Sequence, residues 1–132
     1  LGDDFLVMNG DILTDLDLEA LWDDHQRSGA TLTIATHARH VNIDFGVLER
    51  SGKQITAFRE KPTIPYEVSM GVYILNQKCL NYVPQGKAFG FDQLVLSLLE
   101  ANEPIRAFPH QGKWLDLGRP EDYETAMKDE AE

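Results

Sequence analysis

Two aspartates far apart in the sequence could together bind a divalent cation. Asp11 lies in an acidic loop after the apolar run Phe5–Met8, and Asp116 lies in a second acidic loop before the helix start signalled by Pro120. An aspartate at the end of a buried strand can place a carboxylate oxygen in the crevice where open α/β sheets bind ligands. Mg²⁺ favours one or two carboxylates together with substrate phosphates. The two aspartates could therefore share one Mg²⁺.

The residues alone leave a simpler interpretation of both aspartates open. Asn-Gly-Asp is ordinary turn chemistry, so Asp11 could serve only to cap its loop. Asp116 could arrange the start of the following helix by accepting backbone N–H bonds. Trp114, in the same segment, is better explained as a core aromatic than as a surface on which a substrate stacks.

Glu60 and Lys61 form a second candidate site. Neighbours in an extended strand point to opposite faces, so both can face one ligand only where the strand ends. Pro62 favours such an end, because it cannot donate a ladder hydrogen bond, and it biases Lys61 toward an extended geometry. The alternative is a surface ion pair at a sheet edge.

Two glycines interrupt segments that otherwise resemble strands. Gly46 and Gly71 each lie in an apolar run. Glycine inside a strand often marks a bulge or a backbone that a ligand approaches closely. The residues alone favour neither explanation.

The first third of the chain predicts a strand, a helix and a second strand. Phe5–Met8 is apolar, and Thr31–Thr36 is rich in β-formers. Between them, one helical face is predicted from the spacing of Leu18, Leu21, Trp22 and His25. Asp15 or Asp17 can cap the helix start, and Gly29 suits its C-terminal cap. A strand–helix–strand unit implies a parallel crossover and an α/β fold.

The middle of the chain predicts antiparallel strands and a central strand. Phe45–Glu49 and Gln54–Arg59 flank a turn with Gly52, the pattern of a hairpin, which we expect to join the sheet. Val68–Leu75 is the most strand-like run, and its residues Met70, Val72, Ile74 and Leu75 are consistent with an interior strand buried on both faces.

The last part predicts helices and one more strand. Asn76 can cap a short helix, and Asp92 can cap a second one with Leu94, Val95, Leu98 and Leu99 facing inward. Ile105–Phe108 is a predicted strand, and the last helix begins at Pro120.

Composition limits the function classes. A chain of 132 residues with 42% hydrophobic content is predicted to form a single domain over residues 1–132. Its net charge of -10 argues against a nucleic-acid partner. No apolar run approaches the length of a membrane span, which predicts no membrane partner. The lone Cys79 suits a buried thiol, and a reducing cytoplasm is the expected location.

Five motifs along nearly the whole chain occur in the order found in one enzyme family. They are Phe5–Asp11, Asp44–Glu49, Phe58–Pro62, Ser69–Tyr73 and Trp114–Gly118. Each is weak alone, but the ordered set resembles the sugar-1-phosphate nucleotidyltransferases, also called nucleotide-sugar pyrophosphorylases. The resemblance implies a mixed, mostly parallel Rossmann-like sheet flanked by helices, with an antiparallel hairpin. It also implies transfer of a nucleotidyl group from an NTP to a sugar 1-phosphate.

The resemblance assigns roles to the candidate residues. It implies that Asp11 and Asp116 are the two protein ligands of one catalytic Mg²⁺. Glu60 would bind sugar hydroxyls, Lys61 would hold the sugar phosphate, and Gly46 and Gly71 would line the sugar pocket. His25, His37, His40 and His110 show no metal-ligand spacing and receive no catalytic role.

The family's glycine-rich nucleotide loop does not precede Leu1, so the chain resembles the C-terminal part of a catalytic domain. We expect it not to turn over alone. Its ending is most similar to the mannose-1-phosphate guanylyltransferases, followed by glucose-1-phosphate thymidylyl- and uridylyltransferases. The alternative is a regulatory or subunit domain of the same fold that senses a sugar nucleotide. An uncovered edge at Phe5–Met8 predicts a homodimer.

Overall fold

The chain divides into two compact units. A computed structural model describes residues 3–84, 86 and 89–131. The sheet unit comprises the residues up to His37 and those from Ser69 onward, and the hairpin unit comprises Ala38–Val68. A division by contacts does not decide whether the two units fold separately, because two compact units can unfold in one cooperative step. The single domain over residues 1–132 therefore stays a prediction.

Strands and helices alternate along the chain. The strands are β1 (Asp4–Met8), β2 (Ile12–Thr14), β3 (Leu32–Asn42), β4 (Gly46–Ser51), β5 (Gln54–Glu60), β6 (Thr63–Asn76), β7 (Ile105–Pro109) and β8 (Trp114–Asp116). The helices are α1 (Leu18–Ser28), a 3₁₀ helix (Gln77–Tyr82), α2 (Phe91–Glu100) and α3 (Pro120–Ala131). In the part of the chain that the structure describes, no helix is both long and apolar enough to cross a bilayer.

The largest sheet has four strands in the order β1-β6-β3-β7. β1 pairs with β6 in the antiparallel direction, with Leu6 opposite Ile74, whereas β3 and β7 are parallel, with Ile34 opposite Ala107. The predicted α/β fold with a mixed sheet is confirmed. Parallel pairing is less prominent than expected, because β6 runs antiparallel to its neighbour β1 and the pairs β2–β8 and β4–β5 are also antiparallel.

The predicted interior strand lies at the centre of the core. Every residue of Met70–Leu75 is buried, and β6 lies between β1 and β3, as the strand-like run Val68–Leu75 predicts. The Tyr73 ring stacks on Phe91 with the ring centres 3.8 Å apart, so α2 packs against β6. The buried core cluster consists of Leu32, Tyr73, Leu75, Cys79, Leu94 and Leu98.

Helix α1 begins and ends at the predicted residues. The Asp17 side chain accepts a hydrogen bond from the Ala20 backbone N–H, and Gly29 closes the helix in the left-handed conformation. Leu21 and His25 are buried, whereas Leu18 remains 38% exposed instead of facing the core. Leu18 is the first residue of the helix, at the end of the predicted apolar stripe.

A buried polar network ties α1 to two strands. His25 Nδ1 lies 2.6 Å from Thr33 Oγ1, and His25 Nε2 lies 3.2 Å from Asp4 Oδ1. Burial raises the pKa of Asp4, but hydrogen bonds from Asn76, His25 and Gln26 outweigh it, so the pKa lies below its ordinary value. The network fixes β1, which leads into the segment containing Asp11.

The start of α2 differs from the prediction. Asp92 does not cap the helix; Gly90 precedes it, and the Gly90 N–H donates to Gln93 Oε1 at 2.8 Å. The helix begins at Phe91, so Asp92 lies in its first turn, where an acidic side chain still interacts favourably with the helix dipole. Leu94 and Leu98 face inward as predicted, but Leu99 is 55% exposed because it lies beyond the inward stripe.

The hairpin forms as predicted but makes its own two-stranded sheet. β4 and β5 pair with each other around Gly52, whose φ is +60°. The register shifts between Glu49 and Arg50, and such a bulge increases the local twist of a ribbon. The expectation that these strands join the larger sheet is therefore wrong.

Candidate functional site

The two candidate metal ligands lie at one end of a short ribbon formed by β2 and β8. The strands are antiparallel, with Ile12 opposite Asp116, and the Leu117 N–H donates to the Asp11 carbonyl oxygen at 2.8 Å. The sequence analysis placed Asp116 in a loop and missed this ribbon. Strands of three residues are too short for the alternation of apolar and polar residues to reveal them.

The carboxylates of Asp11 and Asp116 converge around Gly118. A Cβ atom at Gly118 would lie 2.8 Å from Asp11 Oδ2 and 3.2 Å from Asp116 Oδ1. Two atoms at these distances from one point can be no more than about 6 Å apart. The structure brings the two predicted ligands together, and their role as metal ligands stays a prediction.

Gly118 is a site residue that the sequence analysis did not single out. Any larger residue would place its Cβ within 2.8 Å of the Asp11 carboxylate and therefore displace it. The Gly118 N–H also donates to Asp116 Oδ1 at 3.0 Å. The spacing Asp-Leu-Gly was the available signal, because a glycine two residues after an aspartate permits this close approach.

Asp116 also takes part in the start of α3. The Asp116 N–H donates to Asp122 Oδ2 at 2.9 Å, and the Arg119 N–H donates to the Asp116 carbonyl oxygen at 2.9 Å. The structural explanation of Asp116 therefore holds for its backbone and for its side chain, whose Oδ1 accepts the Gly118 N–H. The same carboxylate also lies near that of Asp11, around Gly118.

The two carboxylates suit a hard cation whose remaining coordination positions are filled by other ligands. Two carboxylates supply the oxygen ligands that Mg²⁺ prefers. Within residues 3–84, 86 and 89–131, no group of three or more His, Cys, Asp or Glu side chains could hold a metal. A cation at Asp11 and Asp116 would therefore take its other ligands from water or from substrate phosphates.

The backbone conformation and close packing at position 71, beside the ribbon, require a glycine. Its φ is +80°, and a Cβ there would lie 2.6 Å from Asn9 Nδ2 and 2.7 Å from Ile12 Cδ1. The Asn9 N–H donates to the Gly71 carbonyl oxygen at 2.9 Å. The positive φ and the close approach of the Asn9 and Ile12 side chains thus explain the glycine, and its role in a sugar pocket stays a prediction.

Trp114 is part of the core, as the sequence analysis favoured. It is 8% exposed, and its indole N–H donates to the Met70 carbonyl oxygen at 3.0 Å. Its ring centre lies 5.4 Å from that of His37. Trp114 thus anchors β8 to the central strand.

Lys61 does not have the extended geometry predicted for a residue before proline. Its φ is +43°, in the left-handed region, directly after Glu60 ends β5. The Lys61 N–H donates to the Phe45 carbonyl oxygen at 3.2 Å, and this hydrogen bond holds the turn against the preference imposed by Pro62. A non-glycine residue in this region costs on the order of 1 kcal/mol and often marks a functional site.

The charged ends of Glu60 and Lys61 belong to an exposed turn of the hairpin unit. Lys61 Nζ lies 3.6 Å from Asp44 Oδ1, with the two side chains 64% and 87% exposed. The strand does end after Glu60, so the condition for both side chains to face one ligand is met. Their sharing of one crevice with the aspartates of the sheet unit stays a prediction.

Gly46 has a structural explanation within the hairpin. It pairs with Glu60, and a Cβ on Gly46 would lie 2.7 Å from the Phe58 ring. The ring covers the glycine, so a larger residue would displace Phe58. Contact between Gly46 and a sugar stays a prediction.

Comparisons with known proteins identify the family of the chain. A family model described as nucleotidyl transferase matches residues 2–132. The chain is 31% identical over 135 residues to a UTP–glucose-1-phosphate uridylyltransferase of Synechocystis sp., covering 96% of this chain and 34% of that protein. It is 29% identical over 131 residues to the mannose-1-phosphate guanylyltransferase catalytic subunit beta of Dictyostelium discoideum, covering 96% and 36%.

The fold also has solved counterparts. The crystal structure of HddC from Yersinia pseudotuberculosis superimposes with a TM-score of 0.67 at 24% identity, covering 97% of this chain and 56% of that one. At this identity the likeness concerns the fold. The chain spans about a third of the length of the curated relatives it matches.

Proposed function

This chain belongs to the nucleotidyl transferase family, and we propose that it takes part in transferring a nucleotidyl group from an NTP to a sugar 1-phosphate. The observation that carries the proposal is the convergence of Asp11 and Asp116 around Gly118. Both aspartates fall within motifs that resemble those of the family. An exposed carboxylate, Asp11, and a half-buried one, Asp116, at the end of a ribbon suit a reaction whose substrates bring phosphate ligands of their own.

In the proposed reaction an oxygen of the sugar phosphate attacks the α-phosphorus of the NTP. The bond between the α-phosphorus and the bridging oxygen to the β-phosphate breaks, and its electron pair leaves with pyrophosphate. No covalent intermediate with the protein forms. A Mg²⁺ held by Asp11 and Asp116 would offset negative charge on the phosphate oxygens. The rest of catalysis consists of positioning and of electrostatic stabilisation.

Lys61 is the proposed catalytic residue on the sugar-phosphate side. Its exposed ammonium can exchange the Asp44 carboxylate at 3.6 Å for a phosphate oxygen, because an exposed ion pair is weak. The left-handed backbone at Lys61 supports a functional position. Glu60 would bind sugar hydroxyls, and the backbones at Gly46 and Gly71 would allow close approach of the sugar.

The similarity to relatives supports two pairs of substrates. Mannose 1-phosphate with GTP is the pair that we favour, since several similar proteins are named mannose-1-phosphate guanylyltransferases. Glucose 1-phosphate with UTP is the competing pair, because a uridylyltransferase is similar over the same share of this chain. Both pairs use the same proposed chemistry at phosphorus.

We also propose a homodimer that works in the cytoplasm. β1 lies at the edge of the four-stranded sheet, and its side chains Leu6 and Met8 are about two fifths exposed. An apolar edge strand is a template for pairing with another chain, which supports self-association.

The experiment compares two lysines of the hairpin unit in the full-length protein. Lys61→Ala should lower kcat/KM at least about tenfold, because a charged hydrogen bond to phosphate is worth about 1.5–3 kcal/mol. Lys53→Ala, in the exposed hairpin turn, should retain full activity. Pyrophosphate release is measured with each substrate pair.

Equal activities of the two variants would contradict the role of Lys61. Absence of pyrophosphate release with every sugar 1-phosphate and NTP tested would contradict the proposed reaction. In that case binding of a sugar nucleotide without turnover would identify the alternative sensing domain.

A further inference from the structure

The ribbon that carries Asp11 and Asp116 is too short to fix its own register. β2 and β8 share three residue pairs and form a separate two-stranded sheet. An isolated two-stranded ribbon is marginally stable at best. A slip by one residue would turn Asp116 to the opposite face of the ribbon and separate the two carboxylates.

A polar clamp closes the other end of the ribbon. Asp15 follows β2, and its Oδ1 accepts a hydrogen bond from the Lys113 N–H at 2.8 Å and another from His110 Nε2 at 2.8 Å. The Asp15 N–H donates to the Lys113 carbonyl oxygen at 3.3 Å, and Thr14 Oγ1 donates to the same oxygen. One carboxylate oxygen thus holds both the residue before β8 and the histidine after β7.

His110 connects this clamp to the large sheet. Its backbone N–H donates to the Thr36 carbonyl oxygen at 2.8 Å, and its side chain is only 15% exposed. The hydrogen bond from His110 lowers the pKa of Asp15, so the carboxylate is ionised at neutral pH and accepts both bonds. The clamp therefore fixes the ribbon relative to β3 and β7.

Gly112 makes the clamp possible. A Cβ there would lie 2.5 Å from Asp15 Oδ1 and 2.8 Å from His110 Nε2. Its carbonyl oxygen accepts a hydrogen bond from His37 Nε2 at 3.0 Å. The loop between β7 and β8 thus closes tightly on the Asp15–His110 pair, with space for glycine alone.

We propose that Asp15 and His110 are positioning residues for the Asp11–Asp116 pair, acting through the register of the β2–β8 ribbon. This inference rests on the proposed metal site. Asp15 lies three residues beyond Ile12, roughly 10 Å along the strand at about 3.3 Å per residue, so it acts at a distance and does not share the cation. Residues that orient metal ligands typically alter metal affinity by about 10–100-fold.

The test measures binding of Mn²⁺, a spectroscopic substitute for Mg²⁺, to this chain by electron paramagnetic resonance. Asp15→Ala and His110→Ala should each weaken Mn²⁺ binding by about tenfold or more. Gly112→Ala should do the same without removing any charge, because its Cβ displaces the clamp. His110→Gln, which retains a hydrogen-bond donor, should restore much of the affinity lost in His110→Ala.

Asp24→Ala is the matched control. Asp24 accepts two hydrogen bonds from Arg106, at 2.7 and 3.1 Å, so this variant loses an equal charge and an ion pair between α1 and β7. Its Mn²⁺ affinity should equal that of the unaltered chain. If Asp15→Ala and the control bind Mn²⁺ equally, the clamp has only a structural role and the inference is overturned.

The test also separates this inference from the proposed function. Failure of the unaltered chain to bind Mn²⁺ would overturn the metal site itself and the clamp's proposed role with it. Normal binding by the unaltered chain and by His110→Ala and Gly112→Ala would overturn only the positioning role. These two variants also cover the case in which Asp15→Ala does not fold.

Discussion

The ribbon that carries Asp11 and Asp116 and the turn that carries Glu60 and Lys61 hold their charged groups by different means. In the ribbon, backbone pairing between β2 and β8, the buried Trp114 and the Asp15–His110 clamp together position the two aspartates. In the turn, Lys61 has one backbone hydrogen bond, to Phe45, and an exposed contact with Asp44. Carboxylates that must meet around a cation need a fixed backbone, whereas a lysine that captures a phosphate can use its flexible side chain.

The difference predicts where a small substitution has a large effect. Gly71→Ala should lower the free energy of unfolding by about 2 kcal/mol or more, because it strains a backbone at positive φ and crowds the Asn9 side chain. Gly10→Ala, with open space around its Cβ, is the control and should change stability little. Urea unfolding measures both. Equal stabilities of the two variants would contradict the close packing of Asn9 and Ile12 against Gly71.

A smaller effect on the free energy of unfolding is expected in the hairpin unit, where introducing a glycine should be less harmful than introducing an alanine. Lys61→Gly and Lys61→Ala both remove the contact with Asp44, but only glycine adopts the left-handed conformation without cost. Lys61→Gly should therefore be more stable than Lys61→Ala by about 1 kcal/mol. Urea unfolding compares the two variants directly. A less stable glycine variant would mean that Lys61 leaves the left-handed conformation in solution.

Long elements of the fold could be predicted from the sequence. The apolar run within β6 predicted a buried interior strand, and Asp17 and Gly29 marked the cap residues of α1. Both predictions are correct because the apolar pattern of β6 extends over several residues and because the caps of α1 form local hydrogen bonds. Asp92 is not the cap, because the helix begins two residues earlier than predicted, with Gly90 as its cap and with Phe91 packed against Tyr73.

The site could be predicted in part. Asp11 and Asp116 were identified from their motifs, but the ribbon that brings them together was not, because its strands have three residues each. Gly118 and the Asp15–His110 clamp depend on contacts between residues distant in sequence, which no local pattern contains. The left-handed Lys61 was also missed, since a hydrogen bond to Phe45 overrides the local effect of Pro62.

The measurement that tests the shared site most directly is Mn²⁺ binding by the unaltered chain, by Asp11→Asn and by Asp116→Asn. Each substitution keeps the size of the side chain and removes the charge that a hard cation requires. Asp92→Asn, an exposed aspartate in the first turn of α2, is the matched control. We predict one bound Mn²⁺ per unaltered chain, the same binding in the control, and loss of binding in both site variants. Equal Mn²⁺ binding by all four proteins would contradict a shared site at Asp11 and Asp116.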